Sequence, residues 1–323
     1  KGLTRLPPRK VRIAVIGAGY FGSLHASKFA SLKGAELAAV VDTHLERAEA
    51  LAAGSGAIPL TDHRKLKGLA DAGIVAVPTM AHYTVAKDCL EAGLDVLVEK
   101  PMCESIKEAD ALIRLAKKKK RILTVGHLER FSPVIDALVA NAKGAWYIES
   151  QRVSPFRGRG ADTTVILDMM IHDLDHAMRL AGSPVVDIDA VGSPVLTELE
   201  DLASVRIRFA NTCVASLTAS RIGGKVSRRL RVYQRERYVI ADMAEHKLTV
   251  LHPTKGGNGV LPSLTGEDKH FPQSDLLLLQ AKDFVDAVRH RTKPKVPAED
   301  VREVLAAALQ ITEKLRAWRR AWK

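Results

Sequence analysis

The sequence predicts two domains: an N-terminal α/β domain built on a doubly wound parallel sheet, and a C-terminal α+β domain with a mostly antiparallel open sheet. Over the first 127 residues, short apolar runs alternate with amphipathic helical segments, which is typical of a parallel sheet covered on both faces. After about residue 128, one apolar helix with a polar stripe is followed by long β-type runs. We therefore expect one domain at 1–127 and a second at 128–323.

Five apolar runs are the expected parallel strands of the first domain. They are VRIAVIG (11–17), ELAAVVD (36–42), GIVAVP (73–78), DVLVEK (95–100) and RILTVGH (121–127). Of the helices between them, the first is expected to end near Gly34 and the second to begin near His44. The third closes at Gly93, and the fourth covers SIKEADALIRLAKKKK (105–120).

The second domain is expected to contain the helix VILDMMIHDLDHAM (165–178) and then five strands. These are VVDIDAVGSPV (185–195), ASVRIRFA (203–210), CVASLTAS (213–220), RRLRVYQ (228–234) and RYVIAD (237–242). Short turn-like stretches at 211–212 and 235–237 indicate hairpins, and hence antiparallel pairing. The Gly/Pro-rich segment 253–273 is predicted to be a loop, followed by helices at about 274–290 and 298–321.

The composition of the chain is that of a soluble globular protein. Of its 323 residues, 46% are apolar and 27% charged, and no apolar run approaches the roughly 20 residues of a membrane span. The basic N-terminus is followed by only a short apolar run, which does not favour a signal peptide. The three cysteines are scattered and show neither a disulfide framework nor zinc spacing, so we expect a cytoplasmic protein.

A formal net charge of +12 favours an anionic partner: nucleic acid, acidic lipid or a phosphorylated substrate. The densest basic clusters are 117–121 and 314–323. No aromatic-basic interleaving accompanies them, so nucleic-acid binding is disfavoured. Lysines at the end of a helix also complement its dipole, which explains the first cluster. The C-terminal helix, with Trp318 and Trp322, could touch acidic lipid, but packing with a solvated charged face is the simpler interpretation.

The motif GxGxxG at 17–22 lies directly after the first strand and opens a helix, the context of a Rossmann dinucleotide site. Gly17 and Gly19 allow a tight turn and close approach of a pyrophosphate, while Gly22 lets helix and strand pack closely. Asp42, at the end of the second strand, is placed to hydrogen-bond a ribose 2′-hydroxyl, which favours NAD over NADP. Nearby His44 and Arg47 could weaken that preference. The alternative is a plain glycine turn with a helix-capping aspartate.

Two further motifs carry candidate catalytic groups. Glu99-Lys100-Pro101 follows a parallel strand, and ligands of such sheets lie beyond the carboxyl ends of the strands, although an isolated EKP could also be a surface feature. In the helix 165–178 and just beyond it, five polar residues spaced by three and four form one stripe, the wall of a cleft. They are Asp168, His172, Asp175, His176 and Arg179.

Asp168 lies four residues before His172 and can hold its imidazole in one tautomer. Two alternatives are a buried His–Asp pair that bridges the domains and a zinc site at His172 and His176. The sequence HxxxH lacks the glutamate base of HExxH, so we expect no metal.

With GxGxxG, EKP and DxxxH in this order, the chain resembles the glucose-fructose oxidoreductase / inositol dehydrogenase / MocA family over essentially its whole length. The resemblance implies that Lys100, Asp168 and His172 surround the reacting carbon and that the proline of EKP, Pro101, is cis. It also implies a homodimer or homotetramer built through the antiparallel sheet.

Three segments, VGHLERFSP (125–133), VILDMMIHDLD and SLTASR (216–221), resemble the branch that oxidises the 3-hydroxyl of UDP-N-acetylglucosamine (UDP-GlcNAc). That oxidation gives a ketone before amination, on the way to an amide-linked lipid A. One departure from the wider family is RGRGADTT, which stands where a glycine-rich loop often precedes the helix aspartate.

The resulting hypothesis is an NAD-dependent dehydrogenase acting on the hydroxyl of an anionic nucleotide sugar. His172 is the expected base and Lys100 hydrogen-bonds the same oxygen, with the roles open to exchange. His82 is expected by the nicotinamide, or else is a helix-start residue. The expected cofactor-binding residues are Gly17, Gly19, Tyr20, Phe21, Gly22, Asp42, Pro78, Thr79, His82, Glu99 and Lys100. The expected substrate-binding residues are Lys100, His127, Arg130, Arg157, Arg159, Asp168, His172 and Arg221.

Three alternatives use the same residues differently. A polyol dehydrogenase of the inositol type would act on a neutral substrate. An NAD-dependent glycosidase would oxidise its substrate only transiently and release sugar without net NADH. A non-catalytic NAD-binding regulator would not need Lys100, Asp168 and His172, and their presence argues against it.

Overall fold

The computed structural model of the protein describes residues 9–156, 158, 163–256 and 261–321. They form two compact units. The first contains the described residues of 1–128 and 275–302, and the second those of 129–274 and 303–323. Within the part of the chain that is described, no helix combines the length and apolar character needed to cross a membrane.

The first unit is built on a six-stranded parallel sheet. Its strands are β1 (Val11–Ile16), β2 (Ala35–Val41), β3 (Ile58–Leu60), β4 (Ala72–Val75), β5 (Asp95–Val98) and β6 (Leu123–Val125). The order is β3-β2-β1-β4-β5-β6, and every neighbouring pair is parallel. The chain thus adds strands to one side of β1 and then to the other, so a topological switch point lies between β1 and β4. This confirms the doubly wound sheet, with β3 as an unpredicted edge strand.

Four helices follow strands of this sheet: α1 (Tyr20–Ser31), α2 (Leu45–Ala52), α3 (Thr79–Glu91) and α4 (Ile106–Lys119). The sequence explains why α4 begins and ends where it does. Ser105 caps its first turn by accepting a hydrogen bond from the backbone N–H of Glu108, at 3.3 Å. Its last turn carries a run of lysines beside the negative end of the helix dipole. The basic cluster at 117–121 therefore completes a helix end, as expected.

Helix α7 (Leu276–His290) belongs to the first unit rather than the second. Phe284, Val285 and Val288 of this helix are buried in one apolar cluster with residues of β1, α1 and β2. The domain expected at 128–323 therefore differs from the unit observed, because the apolar face of a C-terminal helix fills the core of the N-terminal sheet. Sequence order alone does not reveal which sheet a late helix covers.

The second unit contains an eight-stranded sheet. Its strands are β7 (Tyr147–Val153), β8 (Val185–Ser193), β9 (Leu202–Phe209), β10 (Val214–Ser220), β11 (Ser227–Tyr233), β12 (Tyr238–Asp242), β13 (Lys247–Thr254) and β14 (Ser263–His270). The order is β14-β13-β12-β11-β7-β10-β9-β8, and among the described strands only β7 and β10 pair in parallel. The mostly antiparallel sheet and both predicted hairpins are confirmed.

One expectation about the second unit was wrong. The segment 253–273 is not a loop throughout, because β13 extends to Thr254 and pairs with β14. Every residue of β14 is exposed, so the strand has no apolar alternation by which the sequence could reveal it. The helix predicted at 165–178 is confirmed, although its winding changes: a π turn at Ile166–Met170 leads into α6 (Ile171–Ala181). The remaining helices are α5 (Pro133–Asn141) and α8 (Ala298–Ala321).

Candidate active site

The glycine-rich loop after β1 has the shape that a dinucleotide pyrophosphate requires. Gly17 has φ +99°, and a Cβ there would lie 2.4 Å from the carbonyl oxygen of Ala76. A Cβ on Gly22 would lie 1.7 Å from the carbonyl oxygen of Gly17. By contrast, nothing lies within 4 Å of a Cβ built on Gly19, the residue before the first turn of α1. The loop is therefore packed tightly against other backbone at Gly17 and Gly22 and is open at Gly19, at the N-terminus of α1, where backbone N–H groups favour binding of a phosphate.

The carboxylate of Asp42 lies against this loop. Its Oδ2 accepts a hydrogen bond from the backbone N–H of Ala18 at 2.8 Å, and its Oδ1 accepts one from that of His44 at 2.9 Å. Burial acts to raise the pKa of Asp42, but these hydrogen bonds outweigh it, so the pKa lies below its ordinary value. Asp42 is therefore an anion that holds the loop after β1 and the start of the segment that follows β2. His44 and Arg47 beside it are exposed.

The Glu99-Lys100-Pro101 segment follows β5, at the same edge of the sheet as the glycine loop, since parallel strands all end there. The peptide bond between Lys100 and Pro101 is cis, as the resemblance implied. Glu99 is only 6% exposed, and its Oε1 lies 2.7 Å from Nε2 of His25. Burial acts to raise the pKa of Glu99, but the hydrogen bond and charge of His25 keep it below its ordinary value. The glutamate is therefore directed towards His25 inside the unit.

The other expected cofactor residues occupy different environments. Tyr20 and Phe21 are exposed at the start of α1, with their rings edge to face at 5.4 Å. Pro78 is exposed just before α3, and Thr79 is its half-buried first residue. His82 is 2% exposed, and its nitrogens lie 2.8 Å from the carbonyl oxygen of Pro101 and 2.9 Å from that of Val77. Burial lowers the pKa of His82.

His127 is buried just beyond β6 in the first unit, at the same sheet edge as the end of β5. The expected substrate residues Arg157 and Arg159 lie outside the described residues.

In the second unit, the expected catalytic pair lies across a change of helical geometry. Asp168 belongs to the π turn, and His172 to the first turn of α6. Both are partly exposed, while Ile166, Met170, Ile171 and Leu174 are buried. Single π turns are rare and occur often at functional sites. The helix thus packs one face and leaves Asp168 and His172 accessible.

The rest of the predicted polar stripe is not uniformly accessible. Asp175 and His176 are buried, although Arg179 is half-buried. Asp175 accepts two hydrogen bonds from Arg130, one of them from Nε at 2.7 Å, and Arg130 is itself buried. The expectation that Asp175, His176 and Arg130 face a ligand differs from what the structure shows, because all three are buried and Asp175 and Arg130 pair with each other inside the unit.

A buried network missed by the sequence analysis lies beneath α6. Arg152 of β7 donates to Glu129 at 2.7 and 2.6 Å and to Asp173 at 2.8 and 2.9 Å. His176 Nε2 lies 3.4 Å from Glu129 Oε2. Burial acts to raise the pKa of Glu129, but the charge of Arg152 outweighs it and holds the pKa well below its usual range. Arg152 shares the buried face of β7 with Ile148 and Ser150, so the strand has no apolar alternation by which the sequence could signal a buried arginine.

Arg221, another expected substrate residue, is also held inside the second unit. Its Nε donates to Asp201 Oδ1 at 2.6 Å, and its Nη1 donates to the carbonyl oxygen of Thr163 at 3.0 Å. Asp201 in turn accepts three backbone N–H groups of the loop 195–197, at 2.6–2.8 Å. This pair fixes the chain just ahead of the π turn. Among the described residues, no group of three or more histidine, cysteine, aspartate or glutamate side chains could hold a metal ion.

Comparison with known proteins adds independent findings. Residues 11–127 match the family model described as oxidoreductase family, NAD-binding Rossmann fold, and residues 138–239 match the GFO/IDH/MocA C-terminal domain. UDP-N-acetylglucosamine 3-dehydrogenase of Acidithiobacillus ferrooxidans is 35% identical over 311 residues, 95% of this chain and 98% of that protein. Myo-inositol 2-dehydrogenase of Thermotoga maritima is 26% identical, over 94% of this chain and 97% of that protein.

Solved structures give the same result. A structure of the Acidithiobacillus ferrooxidans enzyme superposes with a TM-score of 0.88 at 34% identity, covering 95% of this chain and 98% of that one. Scyllo-inositol dehydrogenase from Lactobacillus casei, solved with bound NAD(H) and scyllo-inositol, gives a TM-score of 0.81 at 17% identity, with 96% and 98% covered. The second likeness shows the fold alone.

Proposed function

The chain belongs to the GFO/IDH/MocA family of NAD-dependent oxidoreductases acting on CH–OH groups, and we propose that it oxidises a ring hydroxyl of a nucleotide sugar. The substrate we propose is UDP-GlcNAc and the hydroxyl that at C3, which becomes a ketone. The observation that carries this proposal is the end-to-end match to UDP-N-acetylglucosamine 3-dehydrogenase, at higher identity than the matches to inositol dehydrogenases. Amination of the ketone would lead towards lipid A.

The residues of the first unit fit the cofactor. Gly17 and Gly22 close the loop behind, and Gly19 leaves the N-terminus of α1 open to the pyrophosphate. Asp42 is held as an anion, so it would accept a hydrogen bond from the ribose 2′-hydroxyl of NAD and would repel the 2′-phosphate of NADP. When bound, NAD supplies the acceptor for the hydride that leaves the sugar carbon.

Oxidation of an alcohol requires loss of the hydroxyl proton and of a hydride from the same carbon. We propose that His172 removes the hydroxyl proton and that Asp168 stabilises the imidazolium that forms. The ammonium of Lys100 hydrogen-bonds the same oxygen and stabilises the negative charge that develops on it. Lys100 and His172 could exchange these roles.

The substrate contributes a diphosphate, which needs cationic partners. Arg130 and Arg221 are engaged in buried ion pairs, so we assign them to support of the site. We propose Arg157 and Arg159 for the diphosphate, in keeping with the net charge of +12. Replacing both by methionine should raise KM for UDP-GlcNAc by about 10-fold or more and leave kcat within about threefold, since each lost charged hydrogen bond costs about 1.5–3 kcal/mol.

A substrate panel tests the proposal. NADH formation is followed with UDP-GlcNAc, UDP-GlcNAc uronate, UDP-glucose, free GlcNAc and myo-inositol, and the product is identified by mass spectrometry. We expect turnover of UDP-GlcNAc to a product two hydrogens lighter. Turnover of myo-inositol alone would instead establish a polyol dehydrogenase, the second candidate, which the inositol dehydrogenase relatives support.

Variants test the residue roles. Lys100→Met and His172→Asn should each lower kcat by about 100- to 10,000-fold, the usual contribution of a group that moves or stabilises a proton. Asp168→Asn should lower kcat as well. Matched controls are the exposed Lys118→Met and His270→Asn. Wild-type turnover by Lys100→Met and His172→Asn would refute the mechanism. Sugar release without net NADH would point to a glycosidase.

We also propose a cytoplasmic homodimer or homotetramer that associates through the open face of the second sheet. Tyr147, Tyr233 and Tyr238 are half-buried on this face, with neighbouring ring centroids 5.3 and 4.6 Å apart. The three cysteines are free and buried, as suits a reducing compartment. Light scattering of the protein in solution should give twice or four times the chain mass of 35.2 kDa. A mass equal to one chain would refute the assembly.

A further inference from the structure

Two buried histidines, one on each of two helices, contact the segment that carries Lys100. His25 belongs to α1, whose N-terminus faces the glycine loop, and His82 belongs to α3. They are 1% and 2% exposed, so neither can reach a substrate. His25 contacts Glu99, the residue before Lys100, and His82 contacts Pro101, the residue after it. His25 lies outside the motifs that the sequence singles out, and His82 was expected by the nicotinamide or as a helix-start residue.

His25 makes its contact with Glu99. Nε2 of His25 lies 2.7 Å from Glu99 Oε1, while Glu99 Oε2 accepts the backbone N–H of Lys100 at 3.2 Å. The chain also closes on the far side of this carboxylate, since a Cβ on Gly126 would lie 2.6 Å from Oε2. One carboxylate thus joins the helix of the cofactor loop to the peptide group that begins Lys100.

His82 makes its contact with the carbonyl of Pro101. Its Nδ1 lies 2.8 Å from that oxygen, and its Nε2 lies 2.9 Å from the carbonyl oxygen of Val77, just beyond β4. The imidazole therefore lies between two chain segments that follow neighbouring strands, and in its neutral form it donates its single N–H to one of the two carbonyl oxygens. Together the two contacts hold the peptide N–H of Lys100 on one side and the carbonyl of Pro101, one residue further along, on the other.

We propose that His25 and His82 are positioning residues for the ammonium of Lys100. Because the N–H of Lys100 and the carbonyl of Pro101 are both held, the backbone from which the Lys100 side chain extends is restrained, and with it the position of the ammonium. A displacement of about 1 Å can cost about 100-fold in rate even when its cause lies away from the chemistry. This inference rests on the proposed function, because it assigns the histidines to the group that binds the substrate oxygen.

A double-mutant cycle tests the proposal with the full-length protein, UDP-GlcNAc and NAD. His25→Leu and His82→Leu should each lower kcat by about 10- to 100-fold, with KM for NAD changed by less than about threefold. In the Lys100→Met background the same substitutions should lower kcat by less than about threefold relative to Lys100→Met alone, because no ammonium remains to be positioned. Residual rates are measured at high enzyme concentration.

Two controls separate positioning from a general loss of structure. His63 forms a half-buried pair with Asp88 in the same unit, at 2.9 Å, and His63→Leu should leave kcat within about twofold. His25→Gln and His82→Gln retain a side-chain N–H donor and should recover at least about a third of the lost kcat. If the Leu variants fail to fold by circular dichroism, the Gln variants are used in the cycle.

The outcomes distinguish this inference from the proposed function. Equal losses of kcat in the unmodified and the Lys100→Met backgrounds, with Lys100→Met itself strongly impaired, would overturn the positioning role and leave the function standing. Wild-type turnover by Lys100→Met, or no turnover of UDP-GlcNAc by the unmodified protein, would overturn the function first. Loss confined to the background that retains Lys100 supports the positioning role.

Discussion

Arg152 donates two hydrogen bonds to Glu129, at 2.7 and 2.6 Å, and both side chains are buried. The same guanidinium donates to Asp173 at 2.8 and 2.9 Å. One arginine thus compensates two carboxylates, Asp173 on the helix that carries His172 and Glu129 beneath that helix. This network explains how an apolar helix tolerates so many charges, because the charges that turn inward are paired there.

Replacement of Arg152 should therefore damage the second unit severely. Arg152→Met leaves two buried carboxylates without their main partner, and breaking such a pair costs about 3–5 kcal/mol of unfolding free energy. Urea denaturation followed by circular dichroism measures the change. The exposed Arg206→Met, on β9, should change it by no more than about 0.5 kcal/mol. Similar midpoints for the two variants would show that the network contributes little.

The same network predicts how stability depends on pH. The pKa of Glu129 is lower in the folded than in the unfolded chain, so the folded protein binds fewer protons. Its contribution is complete above the ordinary value of 4.5 and is lost as the pH falls towards the folded-state pKa. In urea titrations from about pH 7 to about pH 3, Glu129→Gln should lose less stability with acid than the unmodified protein. The exposed Glu267→Gln should follow the unmodified protein; identical slopes for all three would contradict the assignment.

Two glycines of the cofactor loop should respond differently to alanine. A Cβ on Gly19 meets no protein atom, so Gly19→Ala should fold with near-normal stability but bind NAD at least about 10-fold more weakly, because the methyl group lies where the pyrophosphate approaches. A Cβ on Gly22 would lie 1.7 Å from a carbonyl oxygen, so Gly22→Ala should lose both stability and NAD binding. Calorimetric titration with NAD and thermal unfolding measure the two effects. Unchanged NAD affinity in Gly19→Ala would place the pyrophosphate elsewhere.

Asp42 should set the preference for NAD. Asp42→Asn removes the charge that would repel a 2′-phosphate and retains a carbonyl acceptor in the side chain. The ratio of kcat/KM for NAD to that for NADP should fall by about 10-fold or more. Arg47, which acts on the pKa of Asp42, would then face the phosphate without an opposing carboxylate. An unchanged ratio would mean that Asp42 only shapes the loop, the alternative interpretation of this residue.

The sequence could predict those features that are determined by residues within one short segment. GxGxxG after an apolar strand specifies a turn that only glycine can make, and it located the cofactor loop. The parallel strands were recognisable because they are buried on both faces and hence continuously apolar. Only part of the polar stripe predicted on the helix 165–178 is accessible: Asp168 and His172 are partly exposed, whereas Asp175 and His176 are buried. Spacing by three and four shows which residues share a face, not whether that face meets solvent or Arg130 and Arg152.

What the sequence could not reveal depends on contacts between distant segments. The pairing of Arg152 with Asp173 joins residues in a strand and a helix, and that of His25 with Glu99 spans 74 positions. The assignment of α7 to the first core depends on which sheet its apolar face meets. The exposed strand β14 had no apolar face to recognise, so only its backbone pairing with β13 identifies it.

The π turn at Ile166–Met170 holds one residue more than an α-helix would place in the same rise. Deletion of Met169 would let this turn wind as an ordinary α-helix, while the segments on either side kept their register. The carboxylate at 168 and the imidazole at 172 would then stand three positions apart instead of four. A single-codon loss at this point would therefore change the angle between the two groups and leave the scaffold beneath them in place.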